Sequence, residues 1–115
     1  LVAAWAPPAD ARFSGVRGDV VWSDEKQSGF MRLSGMPVND PATQQYQLWI
    51  IDPERSAQPV DGGVFDIEAS NGEVIIPINA KLAVNKPTTF AITLEKAGGV
   101  VVSAGPLLVV ASAGS

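Results

Sequence analysis

Polar and apolar residues alternate along most of this chain with a period of two, which sends successive side chains to opposite faces of a strand. Residues 18–23 (GDVVWS) place Val20 and Trp22 on one face and Val21 on the other. After a polar turn at 24–29, residues 30–34 (FMRLS) set Met31 and Leu33 on one side, Phe30 and Arg32 on the other. Two such segments joined by a polar loop ending in Gly predict a hairpin. Residues 44–52 are the most apolar: Tyr46, Leu48 and Ile50 share one face, Gln47, Trp49 and Ile51 the other. A strand apolar on both faces belongs inside a sheet, covered on both sides or flanked by a packed loop. Residues 64–68 turn Phe65 and Ile67 inward and Val64, Asp66 and Glu68 outward. Asn71-Gly72 is a strong two-residue hairpin signal and leads into 73–78. Pro77 cannot donate to a ladder, so it is expected at a strand end, an edge or a bulge. Residues 88–95 direct Phe90, Ile92 and Leu94 inward and Thr89, Ala91, Thr93 and Glu95 outward, and 100–103 and 107–111 complete the set.

Between these segments lie Gly, Pro, Asn and Asp clusters: 35–41 with two prolines, 53–63 ending in Gly62-Gly63, 81–87, and Ala97-Gly98-Gly99. No window carries a 3.6-residue apolar repeat over a helix length. The pattern predicts an all-β antiparallel sandwich of immunoglobulin-like architecture with seven to eight strands. Residues 1–12 read as an extended lead-in or linker, because Pro7-Pro8 blocks a helix, with Trp5 packed back onto the domain. Residues 13–111 form a single sandwich domain, and 112–115 a flexible tail. The expected core is Phe13, Val20, Trp22, Met31, Leu33, Tyr46, Leu48, Ile50, Phe65, Ile67, Ile76, Phe90, Ile92 and Leu94. The apolar run 107–110 is expected to lie at an edge, paired with its own sheet or with another chain.

At 115 residues the chain is one domain by length, and 46% hydrophobic residues supply a core. Charged residues make up 17%, and the net charge is −4 without a Lys/Arg cluster, which argues against nucleic acid or an anionic membrane as partner. Cysteine and histidine are absent. Disulfides, the common zinc, copper and haem sites, and Ser-His-Asp and Cys-His nucleophiles are thereby excluded. No apolar run of 18 residues occurs, so none of this sequence reads as a transmembrane helix. The first residue is Leu rather than Met, so the chain is expected to be a fragment or a processed product.

Three constellations could carry chemistry. Asp52, Glu54, Asp61, Asp66 and Glu68 lie close in sequence, but no calcium-loop spacing joins them. A carboxylate pair for glycoside hydrolysis could be drawn from a dozen acids, with nothing to mark two of them. Trp5, Trp22, Trp49, Phe30 and Tyr46 could stack on sugars if exposed, but the alternation assigns them chiefly to packing. No catalytic, cofactor-binding or metal-binding residue is assigned, and no cofactor is expected.

Five stretches stand in order over residues 15–105: Gly18-Asp19-Val20-Val21-Trp22, Gly29-Phe30-Met31-Arg32-Leu33-Ser34-Gly35-Met36-Pro37, and Tyr46-Gln47-Leu48-Trp49-Ile50-Ile51-Asp52, then Pro59-Val60-Asp61-Gly62-Gly63-Val64-Phe65 and Phe90-Ala91-Ile92-Thr93-Leu94-Glu95-Lys96-Ala97-Gly98-Gly99. Together they resemble the C-terminal extracytoplasmic domain of the anti-sigma-K factor (RskA) family. A Leu-Pro loop before Tyr-Gln-Leu-Trp is the most specific element, and here it reads Met36-Pro37. The resemblance implies a single-pass bacterial membrane protein whose cytoplasmic domain, absent from this chain, holds a sigma factor inactive. It places this domain on the extracytoplasmic (periplasmic) side, joined to the membrane through an upstream helix outside this chain. A site-specific protease, and a signal or partner protein there, would govern release of the sigma factor through regulated proteolysis. The domain would be a sensor or regulatory module without chemistry of its own. The alternative is a secreted β-sandwich adhesion or carbohydrate-binding module.

Overall fold

The computed structural model describes residues 1–6, 8, 10–54, 57–69, 72–103 and 105–112. Among the described residues the strands are β1 (Val2–Ala4), β2 (Arg17–Ser23), β3 (Ser28–Ser34), β4 (Gln44–Ile51), β5 (Val60–Phe65), β6 (Glu73–Pro77), β7 (Thr89–Lys96) and β8 (Val109–Ser112), with a 3-10 turn at Ala11–Phe13. They form two four-stranded sheets, ordered β1-β2-β3-β6 and β5-β4-β7-β8, and every pairing is antiparallel. This is the expected β-sandwich.

β4 is the interior strand the sequence predicts. It pairs with β7 along all eight residues, from Gln44↔Lys96 to Ile51↔Thr89, and with β5 on its other side. Tyr46, Leu48 and Ile50 enter the core beside Phe90 and Ile92, facing Val20, Trp22, Met31 and Leu33 of the first sheet. Trp22 and Phe90 meet across the sheets at 6.3 Å between ring centroids. Tyr46 stacks on Phe65 at 5.7 Å and receives the edge of Phe13 at 6.4 Å. Ring pairs at these separations add to the burial of area. Of the expected core, only Ile76 and Leu94 are partly rather than fully buried.

Both lateral seams of the sandwich are bridged by backbone. Trp5 N–H donates to Gly18 O of the first sheet at 3.1 Å, and Ala6 N–H donates to Val110 O of the second at 2.8 Å. On the opposite side, Ile78 N–H donates to Gly29 O, while Asn79 and Lys81 donate to Gly62 O and Asp61 O of β5. A segment that leaves one sheet for the other occupies edge donors and acceptors that would otherwise pair with foreign strands.

Four expectations change. The lead-in is not wholly irregular: Val2–Ala4 is a paired strand, because Ala3 and Trp5 are apolar positions with room in the core. The strand expected at 64–68 lies at Val60–Phe65, so Gly62 and Gly63 sit within it; its pairing with β4 shifts register between Gln47 and Trp49. Residues 100–103 form no strand but part of a loop across the second sheet. Ala91, Thr93 and Glu95 do face outward from β7, yet that loop buries them. The run 107–110 resolves to β8 pairing with β7, while Trp5 and Ala6 meet its other side. Ser112 belongs to β8; residues 113–115 and Asn71 of the expected hairpin turn lie outside the described residues.

Candidate functional site

The outer face of the second sheet holds the densest set of buried polar groups. Gln47 lies on β4 between apolar neighbours and is fully buried. Residues 97–103 leave β7 through Gly98 and Gly99, both with positive φ, and fold back over β4 as a strap, with 105–108 leading on to β8. At Gly99 (φ +80°) a Cβ would stand 2.6 Å from Val64 Cγ1 and 2.9 Å from Gln47 Oε1, so the strap seats only without a side chain there. The Gln47 amide then acts as a short strand segment. Its Oε1 accepts from Val100 N–H at 2.9 Å and its Nε2 donates to Val100 O at 3.0 Å.

Below the strap a polar chain runs across β4 and β7. Trp49 Nε1–H donates to Thr93 Oγ1 at 2.9 Å, and Thr93 Oγ1–H donates to Glu95 Oε2 at 2.6 Å. Ser103 Oγ–H donates from the strap to the same oxygen. The carboxylate thus accepts from two hydroxyls, Thr93 of its own strand and Ser103 of the strap, and the second fastens the strap to β7. Among the described residues no side-chain polar atom is buried without a partner.

Two shallow apolar openings border the strap. One, of about 160 Å³, lies between Trp49, Ile51, Pro59, Val102 and Leu107. The other, of about 390 Å³, lies between Val60, Leu82 and Val100–Val102. Val101 is 91% exposed at their common rim. At one end of the sandwich a third hollow, of about 450 Å³, is bordered by Arg12, Asn39, Asp40 and Tyr46. Arg12 there grips Asp10 through two bonds of 3.2 and 2.8 Å, and this holds the Asp10 carboxyl below its ordinary range, while Asp40 Oδ1 accepts from Ala42 N–H at 3.1 Å. Tyr46 Oη–H donates to Pro37 O at 2.8 Å, and burial pushes its pKa up to about 12. On the outer face of the first sheet, the Arg32 guanidinium pairs with Asp19 and likewise lowers that carboxyl.

The five acids singled out in the sequence do not converge. Asp52 is buried and accepts from the amides of Glu54, Asn85 and Lys86, tying the β4–β5 turn to the loop before β7. Asp61 accepts from Gly63 N–H within β5. Asp66 accepts from Asn39 and Gln45. Glu54 approaches Lys86 at 4.0 Å, and Glu68 is exposed. Among the described residues no three His, Cys, Asp or Glu side chains are grouped to hold a metal ion.

The aromatic constellation is equally dispersed. Trp5, Trp22, Trp49 and Tyr46 are buried, and each indole N–H has an acceptor: Arg32 O, Asp24 Oδ1 and Thr93 Oγ1. Phe30 alone of the five reaches solvent, at 36% exposure. This is not a stacking platform for a glycan.

The sequence reading passed over Gln47, Thr93, Glu95 and Asn39. Gln47 carried a signal, as a polar residue on the second apolar face of an interior strand. Thr93 and Glu95 sat on the face assigned to solvent and carried none.

Fold and site define a β-sandwich whose buried polar groups fasten loops onto sheets. Residues 2–107 match the family model described as anti-sigma-K factor rskA, C-terminal, and the chain belongs to that family of regulatory domains. The match runs from β1 to the segment that leads on to β8. Comparisons with curated proteins and with solved structures return no match.

Proposed function

We propose that this domain is the extracytoplasmic sensing and regulatory part of a membrane-anchored anti-sigma factor. Its folded state controls release of an alternative sigma factor through regulated proteolysis. The family match over residues 2–107 carries this reading. The sigma factor is held by a separate cytoplasmic domain, a membrane helix lies on the N-terminal side, and a protease acts outside the cytoplasm.

The physical basis is steric. A protease needs several residues of extended, mobile chain, and backbone engaged in a sheet presents none. Residues 1–6, which border the membrane side in this reading, are hydrogen-bonded to both sheets. A signal that favours the loosened over the folded state would shift the population of cleavable chain.

The test uses the full-length membrane protein with a transcriptional reporter for its sigma factor. Leu48→Ala, which hollows the core, is expected to raise reporter activity and produce a shortened membrane fragment. Unchanged reporter and fragment pattern, with the domain shown to be unfolded, would overturn the proposal.

A further inference from the structure

We propose that residues 1–6 are a releasable clasp, which opens while both sheets stay folded. The segment pairs with β2 over only three residues, Val2↔Val21 to Ala4↔Asp19, and is held outside that ladder at a few further points. Leu1 N–H and C=O pair with Trp22 O and N–H at 2.9 Å each, Trp5 N–H bonds Gly18 O, and Ala6 N–H bonds Val110 O. Only Ala3 and Trp5 are buried; Leu1, Val2, Ala4 and Ala6 are exposed. Trp5 is the peg, because its Nε1–H crosses to Arg32 O at 3.0 Å while its ring fills the seam next to β8.

The opposite seam is built differently. Residues 78–81 continue β6 without a break and lead to Val84, whose N–H and C=O are both held by the Gln27 amide at 2.9 and 2.8 Å. Asp52 then holds Asn85 and Lys86. That seam is fastened before, within and after the crossing. The clasp rests on a three-residue ladder and two buried side chains, and local opening favours segments with few buried contacts and short ladders.

Opening it has two consequences. Residues 1–6 become extended chain that a protease can bind, and the seam at Val109 and Ala111 is uncovered. The signalling use rests on the anti-sigma reading, in which a tether on the N-terminal side pulls on β1 before any other strand. The clasp itself does not depend on that reading.

Native-state hydrogen exchange on this chain tests it, with a control built into the sequence. Trp22 N–H faces β1 and bonds Leu1 O, whereas the adjacent Val21 N–H faces β3, since alternate amides of a strand point to opposite neighbours. The amides of Trp5, Ala6 and Trp22 are expected to exchange together. They should do so on the order of tenfold or more faster than Val21 and the β4 and β7 amides, with weak dependence on denaturant. Trp5→Phe, which removes the indole donor, should accelerate that group severalfold and leave β4 and β7 unchanged. Exchange of Trp5, Ala6 and Trp22 in step with Val21, or equal acceleration of both groups in the variant, would overturn the clasp whatever the outcome of the sigma-factor reporter.

Discussion

Tyr46 links an ionisable group to the fold through burial and a bond to Pro37 O. Its pKa stands at about 12 in the folded chain, against about 10 when unfolded. Here the neutral form is favoured by folding, so the full contribution is present below pH 10. Above that the unfolded chain ionises first. Stability then falls by about 1.4 kcal/mol per pH unit until the folded phenol also ionises near 12. Tyr46→Phe should cost about 1 kcal/mol at neutral pH through the lost hydrogen bond. It should also lack the Tyr46 part of the alkaline decline, so that the stabilities of the two proteins from urea unfolding converge above pH 10, meet before about pH 11 and cross by about 11.5. A constant gap across that range would refute the assignment. Tyr46 as a core residue was legible from alternation alone. Asp52 was not: a carboxylate before a proline reads as a surface turn. Its clamp on Asn85 and Lys86 exists only because the chain returns 33 residues later.

The strap shows how an element can escape the sequence. Val100-Val101-Val102 has the β-branched composition of a strand, yet composition does not supply a partner. Gly98 and Gly99 both adopt left-handed backbone and lay the segment flat on β4, where the Gln47 side chain takes up its N–H and C=O. The expected strand at 64–68 fails for a related reason: the register shift beside Gln47 and Trp49 lets pairing begin earlier, at Val60. β1 was hidden by the Pro7-Pro8 pair that follows it in the sequence, which made the whole lead-in read as irregular. The clean alternation of β2, β3 and β7 was legible because each buries one face against the opposite sheet. Gln47→Ala tests the strap. It leaves Val100 N–H and C=O without their partner, a loss of about 2 kcal/mol. Amide exchange should rise at Gly98, Gly99 and Val100 well above its rise in β2 and β3. A uniform increase across both sheets would show that the strap is no separate unit.

At the scale of the whole molecule, the question is whether chain near residue 1 becomes cleavable by local release or by unfolding of everything. The two routes respond differently to core damage. Leu48 is fully buried on the central strand, and Leu48→Ala is expected to cost about 3 kcal/mol through lost transfer energy and the cavity left behind. That multiplies the globally unfolded population about 150-fold, and cleavage that draws on this population rises in proportion when reclosing outpaces cutting. Cuts within β4 or β7 should follow that factor, because their backbone pairs along its whole length. Cuts within residues 1–6 should rise too, as the reporter test expects, but by a smaller factor, since clasp opening, which leaves Leu48 packed, already exposes that chain in the wild type. Limited proteolysis of wild type and variant, with fragments located by mass, separates the cases. Equal acceleration at both places would make the sandwich one cooperative unit from β1 to β8. A signal would then have to melt the whole domain to expose its membrane-proximal chain. Unequal acceleration would leave the sheets as a rigid frame, with the responsive part confined to six residues and the Trp5 peg that holds them.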